Sequence, residues 1–585
     1  MRLSNTFIGC IILLELIALL FLNSSIGSFS SLSLSYKLLI MGWLIVLVWV
    51  PYVIYSNRNI HPKALFVLFF AELWERFSYY GMRALLVLYM IDKGAELVYE
   101  KSHAYAIYGA YGAMVYATPL IGGLIAEKYF GYRKSILWGG ILMALGHFTM
   151  AFPLISEFGA SKEMIHALTE PMFFIALGLL ILGNGFFKPN ISSFVSTFYK
   201  DNALRDRGFN LFYMGINVGA FLAPITCGAI GQDTVNFGSN SWHYGFGLAG
   251  IGMVLGLLVF VYGLRSGVFK NNGHSSNVKL LNAKLLAFRN EKGEYVGGGI
   301  TLKNATYIGT LLCVPVIFLL LNWGAKPLFH PFDKELSLLD IILFSMVGYM
   351  IYYLIQYGRK ITKAGYEKLK VILFLFFYST LFWAFFELAG SAITVYTETN
   401  VNKTIPYLGE LSSSQFMGVN PLYILFLVPV FNFIWRKLKE SKLEPSAPMK
   451  FAIGTILLGL GFFAFPLGGL FAKAGMVPMA FLLLAYLLHT LGELCLSPVG
   501  LSLVTKLAPK QIIGFVMGFW FLSSSLAHLL GKFIAQETDA GDLTPVEALE
   551  TFNGVFFNVG LLSVGAGILL VFLSPKITKW MHNVE

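Results

Sequence analysis

The sequence predicts an all-α integral membrane protein, and three observations carry that expectation. Charged residues make up only 12% of the chain, half of the ~25% usual in soluble domains. The hydrophobic residues, 57% of the total, fall in blocks of about 20, long enough at ~1.5 Å per residue to cross a ~30 Å apolar core. Strand-length alternating segments are absent, so a membrane barrel is not expected.

The blocks lie near 7–22, 38–55, 64–91, 104–126, 135–155, 171–192, 209–231, 245–263, 303–322, 337–357, 371–397, 414–435, 450–471, 476–498, 511–534 and 553–574. A polar stretch, Lys270 to Gly299, interrupts them. The first block could be a secretory signal, but Glu15 interrupts it and no clear cleavage site follows, so it is read as retained.

A net charge of +11 invites a nucleic-acid reading, yet the basic residues sit in short connections between blocks. Lys128, Arg133 and Lys134 share one; Lys200, Arg205 and Arg207 another. Arg359, Lys360, Lys363, Lys368 and Lys370 share a third, and Arg436, Lys437, Lys439, Lys442 and Lys450 a fourth. These are alternate connections, which places them together on the cytoplasmic face of a plasma (inner) membrane, with both termini cytoplasmic. A multi-pass protein embedded in the bilayer is expected, with no nucleic-acid partner. Cys10, Cys227, Cys313 and Cys495 lie far apart inside apolar blocks and read as buried small hydrophobes rather than disulfide or metal ligands.

An internal repeat organises the chain. Leu182-Gly183-Asn184-Gly185-Phe186-Phe187-Lys188-Pro189 aligns without gaps on Leu491-Gly492-Glu493-Leu494-Cys495-Leu496-Ser497-Pro498, and the same offset brings Gly81 onto Gly390. Both copies cross the membrane in one direction, a parallel repeat of the kind that relates the halves of major facilitator transporters. The expected organisation is an extra N-terminal helix pair (1–60), a six-helix bundle (61–265), a cytoplasmic linker with an inserted helix pair (266–369) and a second six-helix bundle (370–585).

Ionised residues inside apolar blocks point to the site, because a charge at mid-bilayer costs about 3 kcal/mol or more. Glu72-Leu73-Trp74-Glu75-Arg76-Phe77-Ser78-Tyr79-Tyr80-Gly81-Met82-Arg83 holds four in one helix. At ~100° per residue, Glu72, Arg76, Tyr79, Tyr80 and Arg83 share one stripe, with Glu75 at its border. The stripe reads as the wall of a polar pathway; a salt-bridge cluster locking helices would explain Glu72 with Arg76 but leaves Arg83 needing a partner. Lys188, Glu387 and Glu493 are three more intramembrane charges. Lys188 and Glu493 stand at related places in the repeat, so a chamber between the halves would face a cation with an anion. That arrangement suits a zwitterion with separated termini, such as a short peptide. Pro189 and Pro498 can kink both helices and free backbone groups toward the chamber.

Glu72 and Glu75 beside Arg76 can bind or release a proton as solvation changes. Protons are therefore the expected coupling ion, with no other cofactor. No nucleophile–base set or metal cluster is legible, so neither catalysis nor metal binding is expected.

These residues resemble the proton-dependent oligopeptide transporter family of the major facilitator superfamily. Glu72 to Gly81 resembles its ExxERFxYYG motif, and Phe209-Asn210-Leu211-Phe212-Tyr213-Met214-Gly215-Ile216-Asn217-Val218-Gly219-Ala220 its second signature. The Lys188-Pro189-Asn190 and Gly492 to Pro498 elements are also similar, and the likeness spans about residues 61–575. The resemblance implies a symporter that imports di- and tripeptides with protons by alternating access; a monomer is expected. Glu72, Glu75, Arg76 and Lys188 would serve proton coupling. Arg83 and Lys188 would meet the peptide carboxylate and Glu493 its amine. Arg83 with Glu387 would form an outer gate, and Tyr80, Tyr116, Asn217, Asn420 and Trp520 would line the pocket; interface packing alone would also explain Tyr116 and Trp520.

The sequence departs from the family in places. Glu127 replaces an Asp, Glu387-Leu388 with Ala392 replaces Glu-Gln with a later Ser, and Ala527-His528 replaces Gly-Asn. The loss of polar groups at Leu388 and Ala392 keeps open another solute on the same fold, such as a peptide-like drug, an amino-acid conjugate or nitrate. His528 reads as a satisfied packing histidine.

Overall fold

The computed structural model describes residues 31–289, 295–329, 336–539, 541, 543–582 and 584. The apolar block at 7–22, with Cys10, lies outside the described residues.

Every other apolar block forms a helix. These are α1 (Leu34–Asn57), α2 (Lys63–Ile91), α3 (Lys101–Ile125), α4 (Tyr132–Met150), α5 (Lys162–Ser196), α6 (Asn202–Gly231) and α7 (Ser241–Arg265). The inserted pair is α8 (Leu302–Asn322) and α9 (Leu338–Gly358). Then come α10 (Lys363–Phe386), α11 (Ala392–Asn400), α12 (Val419–Glu440), α13 (Ala447–Gly469), α14 (Met479–Leu507), α15 (Ile513–Gln536) and α16 (Pro545–Trp580). Among the described residues 13 helices are long and apolar enough to cross a membrane, and α4 with the bent turn Phe152–Phe158 can add another. Helix α2 is long enough at 29 residues, but its charges set it apart in composition.

The architecture is the major facilitator fold. Helices α2 to α7 form one bundle and α10 to α16 the other. They meet where α3 packs on α15 and α6 on α12. The Lys/Arg-rich connections fall at one end, the basic end, and Arg83 lies toward the other.

Two features depart from the expectation of plain helices and linkers. The span from Lys363 to Asn400 breaks at a 3-10 turn, Glu387–Gly390, so α10 and α11 are separate. A Cβ on Gly390 would stand 1.9 Å from Tyr108 Oη, so glycine is what lets α3 approach this turn. The polar stretch after α7 contains an antiparallel hairpin, β1 (Lys284–Arg289) with β2 (Tyr295–Thr301). Cys227 and Cys495 are buried as expected; Cys313 is exposed on α8, because that helix turns only one face to the protein.

The helices outside the two bundles touch both of them. Helix α1 lies on α6, where Ile225 fills the space over Gly42 and Trp43 Nε1 donates to Thr226 Oγ1 at 3.0 Å. Its start reaches the second bundle, since Gln415 Nε2 donates to the Ser35 carbonyl and the Ile225 carbonyl, each at 3.1 Å. In the inserted pair, α8 rests on the first bundle through Phe318 on Phe174 and Tyr307 on Trp138. Helix α9 rests on the second, through Tyr353 on Phe515.

Small residues set the helix spacing inside the first bundle. Pro189 cannot donate to the Gly185 carbonyl, and α3 presses Gly122 onto that carbonyl, where a Cβ would lie only 2.0 Å from the oxygen. Gly122→Val therefore has no room except by moving backbone, and should destabilise by about 1–3 kcal/mol or more. Thermal unfolding of the detergent-solubilised protein checks this; an unchanged midpoint would contradict the packing.

Candidate functional site

Helix α2 delivers the largest group of ionised residues. Its acidic and basic side chains lie where α6 crosses closely, because Gly215 faces the Phe69 ring and a Cβ on Gly219 would be 2.2 Å from the Leu73 carbonyl. The glycines of the Phe209–Ala220 run are thus contact residues for α2. Glu72 and Glu75 are fully buried and Arg76 nearly so. Arg76 Nε donates to Glu72 Oε1 at 2.7 Å and stands 3.1 Å from Glu75 Oε2. Neither Glu75 oxygen, nor Glu72 Oε2, accepts a hydrogen bond. Two carboxylates thus share one guanidinium out of water, an arrangement that desolvation penalises, with the Lys188 ammonium near enough to act on both.

Seven residues along α2, Arg83 pairs with Glu387 across the two bundles. Its Nε donates to Tyr108 Oη at 2.7 Å. All three residues are buried. The predicted gate pair is therefore in contact, with Tyr108 as a third member. Other bonds between the bundles gather on this side. Gln232 Oε1 accepts from the Ser414 amide and hydroxyl at 2.9 and 2.6 Å, and Ser102 N donates to Asp539 Oδ2 at 2.8 Å. The Arg83 end is sealed.

Glu493 on α14 and Lys188 on α5 are not paired. Glu493 Oε2 accepts from Asn420 Nδ2 at 3.0 Å, and the same amide donates to Thr490 Oγ1 at 2.9 Å. Lys188 Nζ sits 4.0 Å from the centre of the Tyr116 ring, a cation–π contact. Tyr116 in turn stacks on His528 of the other bundle, with ring centres 5.2 Å apart and planes at 29°. Tyr80, Tyr116, Lys188 and Asn420 all keep partial solvent exposure.

Two pocket candidates behave differently. Asn217 is buried and donates to the Tyr213 carbonyl of its own helix at 2.9 Å. Trp520 packs over Gly500, whose Cβ would meet the ring at 2.7 Å. The expectation for His528 needs correction. The ring packs against α3, where Gly112 makes room for it, but Nε2 is buried without a hydrogen-bond partner.

Sequence reasoning missed three features. Tyr108 belongs to a tyrosine-rich helix in which the resemblance marks Tyr116 and not Tyr108. Asn184, which the repeat aligns with Glu493, is 1% exposed with neither amide atom bonded; the alignment itself was the signal. Lys532 and Asp340 form a buried ion pair. Charges inside the blocks at 511–534 and 337–357 mark them by the same rule that found Arg83.

Two six-helix bundles with opposed charges gathered where they meet define a secondary transporter of the major facilitator class. The POT family model matches residues 133–552, and the chain belongs to the POT family. It is 36% identical to an uncharacterized transporter of Bacillus subtilis over 90% of this chain and 96% of that one. It is 34% identical to a di-/tripeptide transporter of Lactococcus lactis subsp. cremoris, over 90% and 97% respectively. Among solved structures, a mutant peptide transporter POT in complex with alafosfalin aligns with a TM-score of 0.69 and 32% identity, covering 89% of this chain and 96% of that one.

The Arg83–Glu387 geometry makes a testable statement about stability. Glu387→Ala leaves Arg83 buried without its anion and should cost about 3–5 kcal/mol, while adding Arg83→Leu should recover much of the loss. A double-mutant cycle on unfolding in detergent measures this, and additive losses would refute it.

Proposed function

We propose that this protein is a proton-coupled symporter that imports di- and tripeptides by alternating access. The observation that carries the reading is the pair of mutually unpaired charges at related places in the repeat, the partly exposed Lys188 on one bundle and the buried Glu493 on the other. A zwitterionic peptide satisfies both: its carboxylate meets Lys188, with Arg83 beyond, and its ammonium meets Glu493. Asn420 holds the Glu493 carboxylate in place, and Tyr80 and Tyr116 supply aromatic surface. The POT relatives named as di-/tripeptide transporters support the same substrate class.

Orientation follows from charge. The basic end faces the cytoplasm by the positive-inside rule, which puts the sealed Arg83 end outside. Proton coupling rests on the cluster of Glu72, Glu75, Arg76 and Lys188. One proton on Glu72 or Glu75 removes a desolvated carboxylate charge when the chamber is dry, and water entering the chamber lets it leave. Arg83, Glu387, Lys188 and Glu493 all come from one chain, so a single chain is the transport unit.

Dipeptide uptake into proteoliposomes should require an inward proton gradient and stop on adding a protonophore. Glu493→Gln should abolish uptake without altering the unfolding midpoint. Uptake that a protonophore leaves untouched would reject coupling, and full uptake by Glu493→Gln would reject the amine site.

A further inference from the structure

The sealed arrangement leaves His528 of α15 incompletely bonded. The residue is 3% exposed and its Nε2 has no hydrogen-bond partner, a condition that buried polar groups rarely keep. In a protein with two working arrangements, the missing partner belongs to the other one. Several elements surround the ring. From α3, Tyr116 stacks on it and Tyr108 stands edge-on, with ring centres 6.3 Å apart. Tyr105 of α3, Glu387 of the 3-10 turn and Lys532 of α15 line one small cavity with it. Arg83 of α2 and Lys188 of α5 are near enough for their charges to act on it, and Lys532 is paired with Asp340 of α9. These neighbours divide between the bundles. Arg83, Lys188 and the tyrosines belong to the first. Glu387, His528 and Lys532 belong to the second, on which α9 and its Asp340 rest.

We propose that His528 is a positioning residue of the outer gate, which takes a proton when the gate opens and replaces Arg83 as the cation beside Glu387. This rests on the transport reading and its orientation. Parting the bundles at the Arg83 end carries Arg83 and Lys188 away, whereas Glu387 and His528 move together as parts of one bundle. Lys532 and Asp340 stay with them, so their contribution does not change. Water then reaches the ring, an opposite charge stays beside it and two like charges leave, all of which favour the imidazolium. The proton comes from external water onto an imidazole nitrogen, and that N–H is the only bond formed. The imidazolium donates to Glu387, and Arg83 is free to meet a solute carboxylate. On closure Arg83 recovers Glu387, the ring is dried again beside two cations, and the same proton returns to water.

The test uses the full chain in lipid nanodiscs, with Cys10, Cys227, Cys313 and Cys495 changed to serine. Val235→Cys and Val546→Cys, exposed at the outer ends of the first and second bundles, carry spin labels. The distance distribution between the labels gives the ratio of open to sealed gate as pH is lowered, and dipeptide uptake into proteoliposomes is measured in parallel. In the parent the ratio should rise about tenfold, mostly between about pH 7 and about pH 6, the ordinary histidine range. A proton held by only one of two states changes their ratio by up to about tenfold per pH unit. His528→Gln, which takes no proton, should lose that rise while keeping protonophore-sensitive uptake at a lower rate. His528→Lys, a standing cation, should hold the gate open at about pH 8 as far as the parent opens at about pH 5.5. A parent-like pH response in His528→Gln overturns the proposal, and so does a parent ratio that ignores pH. If His528→Gln does not fold, His528→Asn, also without a titrating group, is judged by the same outcomes. A parent that takes up no dipeptide overturns the transport reading and this proposal with it, whereas uptake beside a pH-independent gate overturns this proposal alone.

Discussion

An ionised side chain held away from water must find an opposite charge, a proton or a wet cavity, and the structure is arranged around that constraint. Arg83 meets it with Glu387, and in doing so ties the two bundles together at one end. Arg76 meets it by serving two carboxylates. Lys188 and Glu493 meet it only in part, through an aromatic face and an amide. The degree of satisfaction therefore varies systematically: complete at the seal, partial where a charged solute would sit.

Close helix approach is what brings these groups within reach of one another. Gly219 lets α6 reach the backbone of α2 beside Arg76, and Gly390 lets Tyr108 reach the turn that carries Glu387. Gly109 and Gly112 admit Lys532 and His528 from the opposite bundle. In a bilayer, where lipid is as apolar as leucine, such small residues are what permit tight association. The glycines that make packing possible are in this way the residues that position charge.

The appended helices belong to the same mechanical system. Helix α1 and the inserted pair each touch both bundles, on the two sides of the molecule where the bundles meet. A helix bonded to both bundles adds to the cost of separating them, so neither appendage is neutral toward relative movement.

By itself the sequence determined the membrane class, nearly all the helices and the charged residues of the site, since apolar length and the cost of intramembrane charge are local and one-dimensional. The pairing of Arg83 with Glu387 was an implication of the family resemblance, and the structure brings the two side chains together. The break at Glu387–Gly390 was hidden, since an apolar run reads as helix until Tyr108 arrives from another element to demand the turn. The unpaired state of Lys188 and Glu493, the Tyr108 contact and the Lys532–Asp340 bridge were likewise decided by tertiary structure. Partners hundreds of residues apart are chosen by which helix faces meet, and spacing along the chain carries no record of that.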